Sequence, residues 1–353
     1  CTAKITNNLS NRNLIINGAM QVAQRGTAEV TAANDTNTYR ADRFKFAENT
    51  AGTVAMSVQD GTGEFAKCLK VRVTGTDTSV ANIDRSSISY VIEDLDVKHL
   101  QWGTANAKSV TLTFWVRSNA AQTYCINVHN SGTNNRTYIA EYAISSADTW
   151  EKKTLTIPGD TTGTWNHIAV RWVLTAGTDY QGSTGWNAWS GSGGLEMATS
   201  NQYNWMGATN DFHLTGVQLE VGDVATDFEH RSYGDELARC QRYFQTLGGS
   251  PNRCLFAPST GNGGTVVTAF YKAPVTFRAV PTYSYSALGD LEIYDFAAET
   301  SRGSPTGSSL VGSISNKDWI YIDNNVSGTT AGAGHMFRAN NTAQARFNLS
   351  AEL

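Results

Sequence analysis

Apolar residues recur at every second position from Val110 to Val116, where Val110, Leu112, Phe114 and Val116 alternate with Thr111, Thr113, Trp115 and Arg117. A period of two places one set on a single face of an extended chain and predicts a half-buried β-strand. Thr154-Leu155-Thr156-Ile157 repeats the pattern and is stopped by the turn cluster Pro158-Gly159-Asp160. Ile168, Val170, Trp172 and Leu174 form a further inward face, as do His213, Thr215, Val217, Leu219 and Val221. Each run is short and bounded by Gly, Asn, Asp or Ser. Such spacing predicts a sandwich or barrel in place of a parallel sheet with crossover helices.

One segment departs from this rhythm. Ser232-Tyr233-Gly234-Asp235 reads as a capping box, and Leu237, Cys240, Phe244 and Leu247 then share one helical stripe ahead of Gly248-Gly249. The expectation is a helix over 232–247 joining two β-rich stretches. Beyond it, Thr265 to Tyr271, Pro281 to Ser286, Trp319 to Ile322 and Arg346 to Ala351 read as strands. The predicted organisation is all-β: a jelly-roll sandwich over 1–230, a linking helix within 231–249 and a smaller β-sandwich over 250–353. No internal repeat or heptad run is present.

Charged residues are only 16% of the 353, while hydrophobic residues reach 40% and Gly numbers 32. Small polar residues replace charge, as suits a turn-rich β protein and not a helical bundle. The net charge is −4, with no Lys/Arg cluster longer than a pair, so no nucleic-acid partner is expected. No run approaches the roughly 20 apolar residues of a membrane span, so no membrane partner is expected either. Cys1, Cys68, Cys125, Cys240 and Cys254 are scattered and form no C-x-x-C pair, which predicts reduced thiols and no zinc site or disulfide framework.

Six histidines stand in no metal-ligand spacing, and no nucleophile elbow, phosphate loop or dinucleotide fingerprint occurs. No catalytic residue, metal or cofactor is therefore expected. Glycoside hydrolysis would need two carboxylates across a cleft, for which Asp211, Glu196, Asp179 and Glu141 are candidates by position alone. The aromatic residues say more. Eight of nine Trp lie between Trp102 and Trp205, with Trp115 and Trp172 inside strand patterns. Trp186, Trp189 and Trp205, together with Tyr180 and Tyr203, fall instead in the Gly/Ser/Asn-rich stretch from Ala176 to Asn210. A sugar ring packs its C–H face on flat aromatics while its hydroxyls bond to amides, carboxylates and backbone, so these five are the candidate carbohydrate contacts. The competing role for each is as an anchor holding a long loop to the sheet.

Five runs are more specific: NRNLIINGAMQVAQRGT (11–27), YRADRFKF (39–46), TWEKKTLTIPGDTTGTW (149–165), TGVQLEVGDVATDFEHRSYGDELARCQRYFQ (215–245) and FRANNTAQARFNLSAEL (337–353). In this order they resemble a widespread family of bacteriophage virion proteins, the tail-fibre or minor structural proteins. The resemblance implies a jelly-roll domain like those of carbohydrate-binding modules, then a helix and a C-terminal β domain. It also implies a place on the virus particle after synthesis in the host cytoplasm, with other virion proteins and host surface glycan as partners, and a homo-oligomer, expected to be a trimer. No collagen-like repeat or coiled coil accompanies these runs, which leaves either a short adhesin tip or a head or tail decoration protein; a polysaccharide depolymerase is the third reading. The blocks themselves read as scaffold. Asn17-Gly18 suits a hairpin turn, Arg25, Asp42 and Arg43 an ion pair, and Leu219, Val221 and Phe228 the core, with Glu220, Glu229 and Arg231 free to pair nearby.

Overall fold

A computed structural model describes residues 11–34, 36–130, 136–183, 186–191, 196–249, 255–340 and 345–353. The chain divides into two compact units, one running to Glu236 and including Leu353, the other Leu237–Glu352. The first holds β1 (Val30–Thr31), β2 (Thr38–Tyr39), β3 (Lys45–Asn49), β4 (Thr53–Thr62), β5 (Phe65–Gly75) and β6 (Arg85–Ile92). After a short helix α1 (Asp94–Val97) come β7 (Val110–Ser118), β8 (Thr123–Asn130), β9 (Thr137–Ala143), β10 (Glu151–Ile157), β11 (Ile168–Ala176) and β12 (Asp211–Val221). They form two antiparallel six-stranded sheets, ordered β1-β4-β5-β12-β7-β10 and β2-β3-β6-β11-β8-β9. Rings from the two sheets meet between them: Phe114 lies 5.8 Å from Trp172 and Phe212 lies 5.7 Å from Tyr124. This is a jelly-roll β-sandwich, and each such ring fully buried contributes roughly 1.5–3 kcal/mol.

The alternation in β7 is realised as read, with Val110, Leu112, Phe114 and Val116 all buried. In β12 it is not. The register slips between Thr215 and Gln218, so the core receives Phe212 and Leu214 before the slip and Val217 and Leu219 after it. Gly216 sits at the slip with φ +59°, and a Cβ there would lie 2.6 Å from the Phe65 ring and 2.8 Å from Trp115. His213 and Thr215 are thus turned away from the sandwich core, and Val221, expected inside, is 41% exposed. Phe228 is half-buried, edge-on to Phe65 at 4.9 Å.

The N-terminal blocks behave as scaffold with two departures. Asn17-Gly18 makes a turn that joins no strand pair: Asn17 Nδ2 donates to Val22 O and Asp42 O, and Gly18 O accepts from Val217 N. A Cβ on Gly18 would lie 2.0 Å from Val217 O, so only glycine allows that approach. Arg25 pairs with Asp42 at 3.7 Å as expected, whereas Arg43 donates to Val91 O at 2.6 Å and covers the Tyr90 ring. Arg231 bridges Glu229 and Glu236 at 3.2 and 3.4 Å, and Arg12 reaches Glu220 at 3.7 Å.

Ser232 caps helix α2 (Tyr233–Gln241) by accepting the Asp235 N–H at 3.2 Å. The helix is shorter than the sequence reading. Residues expected in its last turns instead form β13 (Phe244–Gly248), and the unit boundary falls within the helix. The second unit continues with β14 (Leu255–Gly261), β15 (Val266–Lys272), β16 (Thr282–Tyr285), β17 (Leu291–Asp295), β18 (Thr300–Gly303), β19 (Gly307–Leu310), β20 (Trp319–Asn325), β21 (Gly334–Ala339) and β22 (Arg346–Ser350). A three-stranded sheet, β13-β22-β16, and a seven-stranded sheet, β18-β17-β21-β14-β15-β20-β19, share a core that includes Leu247, Phe337, Phe347, Ile293 and Ile322. Cys68, Cys125 and Cys240 are buried free thiols; Cys1 and Cys254 lie outside the described residues.

Candidate functional site

The stretch between β11 and β12 is a cover laid over the solvent side of the second sheet. Its few apolar residues do the anchoring: Met197 and Ala198 pack with Cys125, Ile139, Val173 and Ala176. Where the cover lies, the outer face of the sheet is buried as well, at Cys125 and Asn127 of β8 and Val173 of β11. Gln202 clips the cover down, accepting the Cys125 N–H at 2.8 Å and donating to Leu174 O at 3.1 Å. The same stretch also pairs with β9, the outermost strand of that sheet. Thr137 and Ser190 exchange backbone bonds of 3.0 and 2.9 Å, and Asn187 N donates to Ile139 O at 2.8 Å.

The five candidate aromatics do not converge on one platform. Trp205 is fully enclosed and offers no face to a ligand, which removes it from the site. Trp189 is half-buried in a knot with Trp102 and Trp165, at centroid distances of 5.2 and 5.1 Å, and its Nε1 donates to Pro158 O at 2.7 Å. Tyr203 is half-buried and edge-on to Tyr124 at 6.0 Å. Tyr180 is half-buried beneath Arg85, which stacks 5.0 Å over its ring and donates to its hydroxyl.

Trp186 alone stands out, 48% exposed on the wall of a groove of about 420 Å³. The rest of that groove is polar: Thr178, Gln181, Ser183, Thr199, Ser200 and Asn201 supply hydroxyls and amides, and Glu141 supplies a carboxylate. Thr199 Oγ1 and Asn201 Nδ2, the latter at 3.1 Å, both donate to Glu141 Oε1 and fix its position. The volume lies within the roughly 300–1,000 Å³ of small-molecule sites. An exposed indole beside fixed acceptors and donors suits a ring with an apolar face and a hydroxylated rim.

Two further hollows carry aromatics that the loop-centred reading passed over. One, of about 580 Å³, is lined by Trp102, Trp165, Asp94, Gln101 and Asn106. Beside it, Arg136 forks onto the buried Asp160 at 2.6 and 2.8 Å. Burial works against the Asp160 carboxylate, but Arg136 and Thr162 outweigh it and hold its pKa below the ordinary value. The other, of about 480 Å³, lies on the first sheet with Trp150, His213, Arg117 and Lys67. Burial, with Arg117 and Lys70 adding to it against Asp211, pushes His213 down to about 4. The signal for Trp150 was a lone Trp just before a strand, which sequence alone does not separate from a core residue. Among the four carboxylates considered for hydrolysis, only Glu141 lines the Trp186 groove; Asp211 pairs with Lys70 at 3.5 Å.

No protein-family model matches the sequence, and no curated protein matches it significantly. Solved structures do show likeness. A family 4 carbohydrate-binding module is 12% identical, with 58% of this chain and 98% of that chain covered and a TM-score of 0.31. The family 11 module of a Clostridium thermocellum cellulosomal cellulase is 13% identical, with 58% and 99% covered and a TM-score of 0.31. The enzymatically active domain of tailspike protein 4 from bacteriophage CBA120 is 9% identical over 60% of this chain, at a TM-score of 0.31. The match spans 21% of that tailspike chain. At these levels the likeness carries no argument, and the fold class stands on the sheets described above.

Proposed function

We propose that this chain is a non-enzymatic carbohydrate-binding protein of a bacteriophage particle that meets host surface glycan through the Trp186 groove. The observation that carries the binding reading is the exposed indole set against fixed hydroxyls, amides and the Glu141 carboxylate. The virion setting is supported by the five sequence blocks that resemble tail-fibre and minor structural proteins. Trp186→Ala is the clean variant, since Trp205 is enclosed and Trp189 is locked in an indole knot. On a glycan array the wild type should bind and Trp186→Ala should lose most of that binding with an unchanged melting temperature; equal binding by both removes the site. Localising the chain in the intact particle separates an adhesin from a decoration protein, through a distal or a lattice position. Release of reducing ends from host polysaccharide would replace the non-enzymatic reading with a depolymerase.

A further inference from the structure

A second groove, of about 340 Å³, lies on the outer face of the second sheet beside the cover. Its construction follows from strand register. Lys45, Ser89 and Arg171 are consecutive partners across β3, β6 and β11, and Ala47 and Ser87 form the next row. Long cationic side chains thus flank a floor of small residues, which leaves a trough between them. Tyr180 and Met197 of the cover close one side.

The charges in this trough are uneven. No Asp or Glu is among its described lining residues. Lys45 Nζ donates to Leu353 O at 3.0 Å, and Arg85 is braced on Tyr180. Arg171 is half-buried, and among the described residues its guanidinium meets a single acceptor, Asn127 Oδ1 at 3.3 Å, and no carboxylate. Burial, with Arg85 beside it, pushes Arg171 down to about 10. Ser87 and Ser89, 5% and 4% exposed, line the same trough, and no hydrogen bond to either hydroxyl is found among the described residues. A half-buried guanidinium without a counter-charge is costly to keep, and its planar fork matches an oxyanion.

We infer that Arg171, with the hydroxyls of Ser87 and Ser89, forms a subsite for the anionic group of an acidic sugar, a carboxylate or sulfate ester. This rests on the carbohydrate-binding reading and narrows its ligand class to charged glycans. Titration calorimetry of the full chain with trigalacturonate, a sulfated galactotriose and neutral galactotriose tests it. Wild type should bind at least one charged trisaccharide about tenfold or more tighter than the neutral one, and high salt should erode that advantage. The arm that shows the gain tells carboxylate from sulfate. Arg171→Gln should abolish the preference while melting no lower than wild type. Ser89→Val, which fills the trough and keeps the charge, should abolish it as well. Equal binding of charged and neutral sugars by wild type, or a preference retained in either variant, overturns the subsite. Neutral binding without charge preference defeats this inference alone; charged binding that survives Trp186→Ala unchanged defeats the Trp186 groove alone.

Discussion

Chemically identical side chains have opposite fates in this protein, and their neighbours decide which. Trp205 is closed in from every side, so Trp205→Ala should leave a cavity and cost about 3–5 kcal/mol, read by urea denaturation. Trp186 should cost little in the same assay. Nothing in the residues around the two indoles distinguishes them in sequence, because the difference is made by strands that approach from elsewhere in the chain. That is why the chemistry of the cover was legible and its geometry was not. A second residue-scale test concerns Glu48, buried in β3 directly opposite Ser86. Burial pushes its carboxyl up to about 7 from an ordinary 4.5, with Thr50 opposing. The fold therefore keeps the neutral acid: the contribution is complete below about pH 4.5 and is lost as the pH rises through 7. Glu48→Gln should gain on wild type between about pH 5 and pH 8 by on the order of 3 kcal/mol. Chemical denaturation at both pH values checks it, and a constant difference would refute it. His129 and His213, both pushed down to about 4, act in the opposite sense below their ordinary 6.5 but weigh on wild type and variant alike.

Among the elements, strands with uninterrupted alternation were readable, and those shaped by distant partners were not. β7, β10 and β11 stand where period-two patterning placed them. β12 was found but its inward set was assigned one phase throughout, since a slip at Gly216 changes which parity faces the core. Phe244 and Leu247 satisfy a helical stripe, yet they pair with Ser350 and Phe347 in β22, about a hundred residues on. A local period cannot reveal a partner that distant. The cover yields a prediction of its own. Gln202→Ala would strand the buried Cys125 N–H and Leu174 carbonyl, so a loss of about 2–3 kcal/mol is expected. Hydrogen exchange should report it as faster opening across β8 and β11, ahead of the rest of the sandwich; uniform acceleration would show that the clip has no local role.

For the whole molecule, eight Trp fall in the first unit and Trp319 in the second. Tryptophan emission therefore reports chiefly on one unit, while calorimetry sees both. Phe337 lies 5.0 Å from Phe256 and 5.6 Å from Phe347 in the second core. Phe337→Ala should destabilise that unit by about 3–5 kcal/mol and lower its calorimetric transition, with the fluorescence-detected melt unmoved. A joint downward shift of both signals would mean the two units unfold as one. The two-sandwich plan was visible in the sequence because turn signals and short apolar runs recur on both sides of the capped helix.

The bonds between the cover and β9 have a consequence for self-association. An uncovered outer strand offers a ladder of free N–H and C=O groups that another chain can extend. Thr137, Ile139, Asn187 and Ser190 use up part of that ladder internally. A protein that lost its grip there would gain an adhesive rim, and its first symptom would be fibrillar or swapped assemblies, well before any loss of the sandwich itself.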